Sequence, residues 1–288
     1  MNSITVIGAG KLGRSLARLW QDKKTLSIRQ VCNRSLSSAE QAIDFIGAGI
    51  AEEDSANIQP CDFLLIATPD TQIETVCREL AANHDWLDRC VVFHCSGALS
   101  SQALASATDR GAATASIHPV KSFADPAGAI RSFAGTFCGV EGDTVALEKL
   151  APLFDALGGT FVQISPAHKT LYHCAAVVAN NYLVTLVDAA RQLHAEAGLD
   201  TQQSMMLLAP MLRETTDNLI RLGSEKSLTG PIARGDADTV RKHLAALAEA
   251  DLDTDLSGLY KVLGRLTSRL ADTSGSDPAQ AAILKLLQ

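Results

Sequence analysis

The sequence has no long run of lysine or arginine, and its 25 basic residues against 32 acidic ones leave a net charge of −7. Such a balance argues against nucleic acid or an anionic membrane as the main partner. It also has no CxxC pair: Cys32, Cys61, Cys77, Cys90, Cys95, Cys138 and Cys174 are an odd, scattered set. That pattern suits buried thiols in a reducing compartment, and nothing in it has metal-ligand spacing. No apolar run reads as long enough to span a bilayer, and a first strand near Ser3 leaves no room for a signal peptide. No internal repeat or low-complexity segment is seen. These absences lead to the expectation of a cytoplasmic protein whose partners are small molecules, with no nucleic acid and no membrane. At 288 residues, 47% of them apolar, two domains are the natural prior.

What is present begins at once, in SITVIGAGKLGRSLA (Ser3 to Ala17). Ile4, Val6 and Ile7 read as a buried strand, and Leu12, Leu16, Leu19 and Trp20 follow at helical spacing. Between them lie three glycines spaced as in a dinucleotide-binding turn. Gly8 would make the tight turn, Gly10 would let the backbone approach a pyrophosphate, and Gly13 would let helix pack on strand. The unpaired N–H groups near Gly10, Lys11 and Leu12 would receive the phosphate charge. A glycine-rich turn that binds nothing is the alternative.

The second strand, Leu26 to Cys32, ends in Asn33-Arg34-Ser35, where cofactor choice is made. NAD enzymes usually place an acid about 20 residues beyond the glycines, and an Arg there suits a 2′-phosphate. No acid stands here. Arg34, helped by Asn33 and Ser35, therefore points to NADP, and a solvated loop arginine is the alternative. Gly47 reads as a helix C-cap.

Three later strands should deliver residues to the same edge, since ligands lie outside the carboxyl ends of parallel strands. DFLLIATPD (Asp62 to Asp70) brings Thr68 and Pro69, with a start of the next helix the alternative for Pro69. CVVFHCSGALS (Cys90 to Ser100) brings His94, Cys95 and Ser96, for which contacts to nicotinamide or substrate are expected, with a structural Cys95 the alternative. SIHPVKSF brings His118 as a hydrogen-bond partner for the reacting oxygen and Lys121 for a substrate carboxylate. Strands near Gly135 to Val140 and Thr160 to Ile164 flank a helix from about Thr144 to Leu157.

At Ser165-Pro166 strand-like runs stop, which divides the chain into a nucleotide-binding domain, 1–164, and a helical substrate and dimerisation domain, 165–288. One long helix is expected to about Ala197. At 100° per residue Lys169, His173 and Asn180 share one face of it, so Lys169 or His173 would supply a proton and Asn180 would orient the acceptor. A solvent-exposed polar face is the alternative. In LTGPIARGD, Arg234 could bind a carboxylate and Asp236 could cap the next helix.

GAGKLG, NRS, ATPD, FHCSG, SIHPVKSF, KTLYHCAAVVANNY and LTGPIARGD in this order resemble Rossmann-like proteins with a C-terminal domain of unknown function 2520. That family looks like a branch of the 6-phosphogluconate dehydrogenase-like superfamily, beside ketopantoate reductases, pyrroline-5-carboxylate reductases and prephenate dehydrogenases. The resemblance implies a mostly parallel α/β Rossmann-type sheet followed by an all-α domain. In β-hydroxyacid dehydrogenases of the superfamily a catalytic Lys is followed four residues later by Asn. Lys169 matches, but His173 stands at the Asn position. SIHPVKSF is similar to the His-Pro segment of prephenate dehydrogenases, which gives His118 weight as a substrate contact.

The expectation is thus an NADPH-dependent reductase of a small carboxylated carbonyl or imine, with ketopantoate-like 2-oxo acids leading and a homodimer plausible. The rivals are an NADP(H)-holding redox sensor and a prephenate-dehydrogenase-like enzyme working oxidatively.

Overall fold

The computed structural model describes residues 1–250, 252–272 and 275–288. The chain divides into two compact units, Met1–Ala179 and Asn180–Gln288. The first alternates strands and helices: β1 (Ser3–Ile7), α1 (Lys11–Lys23), β2 (Ser27–Cys32), α2 (Leu36–Ile46), β3 (Ile50–Glu52), β4 (Phe63–Ile66), α3 (Asp70–Asn83) and β5 (Val91–His94). There follow α4 (Ala105–Thr108), β6 (Ala113–Pro119), α5 (Pro126–Arg131), β7 (Phe137–Gly142), α6 (Thr144–Asp155), β8 (Thr160–Gln163) and α7 (Lys169–Ala176). All eight strands form one sheet in the order β3-β2-β1-β4-β5-β6-β7-β8. Neighbours are parallel except β6 and β7, which run antiparallel.

The central strands read as continuous apolar runs because both their faces are covered. Alternate residues of β4 go to opposite cores. Phe63 and Leu65 pack with Trp20, Phe93 and Phe154, whereas Leu64 and Ile66 pack with Leu80, Leu87 and Val92. Trp20 fixes the first core: its ring meets Phe154 edge-on at 5.5 Å and its indole N–H donates to the Leu153 carbonyl at 3.2 Å. Gly47, with φ +83° and its N–H on the Ile43 carbonyl, caps α2 as expected. The short edge strand β3 escaped the sequence reading because its three residues carry no apolar alternation long enough to register.

Strands end where the sequence changes, and Pro166 opens a 3-10 turn, Pro166–His168. The first unit nevertheless runs beyond residue 164 to Ala179, because α7 lays Lys169 and Tyr172 onto the sheet. The expected single long α-helix is instead α7, a π-helical stretch at Val177–Asn181, and α8 (Tyr182–Glu196). The run Pro166–Glu196 is also, by length and composition alone, apolar enough to cross a membrane, with mean hydropathy 1.2 over an 18-residue window. This corrects the expectation that no apolar run reaches that length.

The second unit continues with α9 (Thr201–Leu222), α10 (Ser224–Ser227), α11 (Ala237–Glu249), α12 (Thr254–Ala271) and α13 (Pro278–Leu286). Its core gathers on Val240, Ile283 and Leu287. Acids start its helices: Asp200 forms a capping box with Gln203, and Asp236, Asp253 and Asp277 each accept a backbone N–H of the first turn.

Candidate active site

The glycine turn is built as its spacing implies. Gly8 has φ +82°, and a Cβ there would lie 2.7 Å from the Thr68 nitrogen. A Cβ on Gly13 would meet the Gly8 carbonyl at 2.9 Å and Ala67 at 3.1 Å. Packing therefore dictates the first and third glycines. Gly10 differs, since a Cβ there meets no protein atom within 4 Å. A position left bare without a packing reason fits close approach by a ligand. The helix behind it starts without a side-chain cap or an acid in its first turn, so the N–H groups of Lys11 and Leu12 meet no competing anion. Beside Gly8, the buried Thr68 hydroxyl has no hydrogen-bond partner among the described residues. This edge therefore fits a dinucleotide.

The three residues after β2 differ in what already holds them. Asn33 accepts the Ala9 N–H at 2.7 Å and donates to the Ser38 carbonyl and hydroxyl at 2.9 and 3.1 Å, so its amide braces the glycine turn. Ser35 caps α2 by accepting the Ser38 N–H at 3.4 Å. Both were expected to bind cofactor; the Asn33 amide is claimed by local groups first, whereas the Ser35 hydroxyl keeps its own hydrogen. Arg34 is exposed and has no hydrogen-bond or ion-pair partner among the described residues. Glu53, an acid close by, accepts the Leu36 N–H at 3.0 Å.

The loops after β4 and β5 meet through Ser96, whose hydroxyl donates to Asp70 Oδ2 at 2.7 Å and accepts the N–H groups of Ala98 and Leu99. Ser96 thus shapes the turn that presents Gly97. Pro69 takes the other role weighed for it and caps α3. Cys95 points into the core beside Phe93, and burial pushes its thiol well above the usual range. The expected contact of Cys95 with cofactor is not what this geometry provides.

Across the sheet, register places His94 of β5 beside Ser116 of β6, and Ser116 beside Glu141 of β7. Paired residues share a face, and α7 lowers Lys169 onto this row. Its ammonium donates to Glu141 Oε1 at 3.0 Å and to the Ser116 hydroxyl. Glu141 also accepts the N–H and hydroxyl of Ser101, each at 2.8 Å. Burial pulls the Lys169 pKa down against the opposing pull of Glu141. His94 Nδ1 accepts the Ser96 N–H at 3.1 Å, so Nε2 carries the hydrogen and donates to the Ser100 carbonyl, also at 3.1 Å. Burial holds His94 down at about 4.

Two residues further along β6, on the same face, stands His118. Its Nδ1 lies 3.0 Å from the Tyr172 hydroxyl, and its ring meets that of His173 edge-on at 5.7 Å. Two glycines make this possible. A Cβ on Gly139, which pairs with His118 across the strands, would collide with the Tyr172 hydroxyl. A Cβ on Gly97 would collide with His173 Nδ1 and lie 2.9 Å from His118 Nε2. The two imidazole nitrogens thus converge on the bare backbone of Gly97. His173 Nδ1 is buried and has no hydrogen-bond partner among the described residues. Burial, helped by the charges of His173 and Lys169 and opposed by Asp70, holds His118 at about 4.

The other expected site residues lie elsewhere. Lys121 donates to the Ser132 carbonyl at 2.8 Å and so closes the C-terminal end of α5, away from a substrate role. Asn180 belongs to the second unit, where it is exposed and donates to Asn181 Oδ1 at 3.4 Å. The π-helical stretch Val177–Asn181, in which Asn180 lies, does not advance by 100° per residue, so the angle reckoned from Lys169 and His173 does not carry over to it. Arg234 is exposed in the second unit, near Asp236, which caps α11 as expected.

Glu141 and Ser116 were missed by sequence reasoning, and Tyr172 lies off the centre of the helix face that Lys169 and His173 share. One signal for Glu141 was available: a lone charge inside the strand FCGVEG. A carboxylate in a buried strand needs a partner, and Lys169 is the lysine that buries with it.

Comparison with known proteins agrees with this architecture. Residues 1–119 match the Rossmann-like domain family, and residues 136–267 match the domain of unknown function DUF2520. No curated protein sequence is similar to the chain. Among solved structures, protein TM1727 from Thermotoga maritima is 25% identical, with TM-score 0.72 over 94% of this chain and 98% of that one. BF3122 from Bacteroides fragilis, named a candidate NADP oxidoreductase, is 20% identical with TM-score 0.77, covering 92% and 97%. A reductive aminase from Aspergillus terreus, in complex with NADPH and ethyl levulinate, is 18% identical with TM-score 0.69, covering 98% of each chain. A Rossmann-like domain followed by a DUF2520 domain is thus the pair of matches that the chain carries.

Proposed function

We propose that the protein is an NADPH-dependent oxidoreductase that reduces a carbon–nitrogen or carbon–oxygen double bond in a small acceptor. One observation carries this reading: a continuous row along the carboxyl edge of the sheet. It runs from Gly8 against Thr68, through Asp70 hydrogen-bonded to Ser96, to Gly97 beneath His118 and His173. A nucleotide seat and a proton-transfer cluster thus share one edge. The similarity to a reductive aminase and to a candidate NADP oxidoreductase supports the same chemistry.

The turn Gly8–Gly13, with the N–H groups of Lys11 and Leu12, would hold the pyrophosphate, and Arg34 would pair with a 2′-phosphate. Thr68 offers a further hydrogen bond. Bound there, a reduced nicotinamide supplies hydride to the acceptor carbon. The chain's own task is to balance the charge that develops on nitrogen or oxygen. His118 Nε2 and His173 Nδ1 face that task at Gly97. Lys169 lies deeper, engaged with Glu141 and Ser116, and orients the row rather than touching the acceptor. A redox sensor would need the nucleotide seat but not the paired imidazoles.

Ketopantoate and pyrroline-5-carboxylate are the first acceptors to test, followed by NADPH oxidation in absorbance. Fluorescence titration with NADPH and NADH, repeated on Arg34→Ala, tests the cofactor. Loss of one charge-assisted contact should weaken NADPH about 10- to 100-fold and leave NADH nearly unchanged. If neither nucleotide binds the wild-type protein, the reading is wrong.

A further inference from the structure

We propose that Tyr172 is the source of the proton used in reduction and delivers it through His118. The imidazole gives its Nε2 hydrogen to the acceptor while Nδ1 takes the hydrogen of the phenol. The inference rests on the reductase reading and adds the origin and route of the proton.

The geometry is specific. Tyr172 OH and His118 Nδ1 are 3.0 Å apart, while His118 Nε2 points to the other side, at Gly97. Gly139 is bare where the phenol sits, and Gly97 is bare where Nε2 emerges. Two independent clearances, one at each end of the same ring, keep the imidazole between phenol and acceptor. Of the two possible directions for the Tyr172–His118 bond, the phenol donates, because a phenol is the stronger donor and an imidazole nitrogen the stronger acceptor. Nε2 then carries the ring's hydrogen, facing Gly97.

His118 is neutral in this position, because burial and the charges of His173 and Lys169 hold it at about 4. A neutral imidazole cannot release a proton by itself without becoming an anion. It can do so if a second proton arrives at the other nitrogen in the same step. The balance is complete on this route. Hydride from a reduced nicotinamide forms the new C–H bond, and the electron pair of the double bond moves to nitrogen or oxygen. That atom takes the Nε2 proton, Nδ1 takes the phenolic proton, and the ring changes from its Nε2–H to its Nδ1–H tautomer. Tyr172 is left as phenolate; it takes the Nδ1 proton back as water reprotonates Nε2 at this half-buried edge, which restores the Nε2–H tautomer. The groups facing the pair are His173 and Lys169 on α7, Asp70 on α3, and Cys138 on β7.

Nitrogen-15 NMR of the histidine-labelled protein, without cofactor or acceptor, tests this directly. The expected result is a neutral His118 in the Nε2–H form between about pH 6 and 8, with Tyr172→Phe losing that preference. An imidazolium at pH 7, or an Nδ1–H tautomer in the wild type, overturns the proposal.

Kinetics supply the second arm, using whichever of ketopantoate or pyrroline-5-carboxylate the wild type reduces. Tyr172→Phe should bind NADPH unchanged by fluorescence and lower kcat about 100-fold, with KM within a few-fold. Replacing Tyr172 by 3-fluorotyrosine, a more acidic phenol of nearly the same shape, should retain turnover and move the basic limb of the kcat profile to lower pH. Full kcat in Tyr172→Phe, or an unmoved limb with fluorotyrosine, overturns the relay while leaving the reductase reading intact. A wild type that binds no nucleotide instead overturns the reading on which the relay rests.

Discussion

Lys169 and Glu141 form an ion pair 3.0 Å long with both side chains 99% removed from solvent. Two charges held this deep need every remaining lone pair and proton satisfied, and Ser101 and Ser116 provide for that. The pair joins α7 to the sheet, and one turn along α7 lie Tyr172 and His173. Lys169 thereby sets where the two groups near Gly97 stand.

Removing one partner should cost more than removing both charges. Lys169→Met leaves a buried carboxylate, and a loss of about 3–5 kcal/mol is expected in urea unfolding. Adding Glu141→Gln to that variant removes the orphan charge and keeps an acceptor for Ser101, so it should restore part of the loss. Equal destabilisation in the single and double variants would show that the pair does not bear on stability.

His94 predicts how stability follows pH. Its folded-state pKa is about 4 against 6.5 when unfolded. Between those values the unfolded chain binds the proton and the folded chain does not, so stability is full above about pH 6.5 and falls as pH drops toward 4. The span corresponds to about 3 kcal/mol at most for this one group. Chemical unfolding of wild type and His94→Gln across that window checks it. The variant should show a shallower loss, and parallel curves would mean that His94 titrates normally.

How much of this was legible in the sequence depends on how local the signal was. Gly8 and Gly13 could be read because backbone clearance within one turn fixes their spacing. The Gly47 cap and the Asp236 cap were legible for the same reason. Asn33 was misassigned because a short amide bonds to nearby backbone before any ligand, and that competition leaves no trace in spacing. Glu141 showed only as a lone charge in a strand, because its partners come from antiparallel register between β6 and β7 and from a helix 28 residues on. Asn180 falls in a π-helical stretch, which periodicity arithmetic cannot foresee.

The second unit carries an unusual load of exposed apolar side chains. Leu183 and Val184 on α8, and Met206, Leu207, Met211 and Ile220 on α9, are all exposed, Ile220 at 82%. Apolar surface of this extent marks an interaction face. A second copy of the chain is expected to cover it, giving a homodimer in analytical ultracentrifugation. Val184→Glu with Ile220→Glu should shift the population to monomer at micromolar concentration. A monomeric wild type that sediments with liposomes would instead assign the face to a membrane surface.

Two glycines on the same sheet edge should respond to alanine in opposite ways. At Gly97 a methyl group meets His173 Nδ1 and His118 Nε2, so the rings must move. A displacement of about 1 Å at a proton donor can lower turnover about 100-fold. Gly97→Ala should therefore keep NADPH affinity within a few-fold while kcat collapses. At Gly10 the methyl meets no protein atom, so Gly10→Ala should leave the unfolding midpoint unchanged. It should still weaken NADPH, because the methyl occupies the space through which the pyrophosphate approaches the backbone. Fluorescence titration and steady-state kinetics on the two variants separate the nucleotide seat from the proton-transfer cluster. If Gly97→Ala lost NADPH and Gly10→Ala lost only kcat, the assignment of the two ends of this edge would have to be reversed.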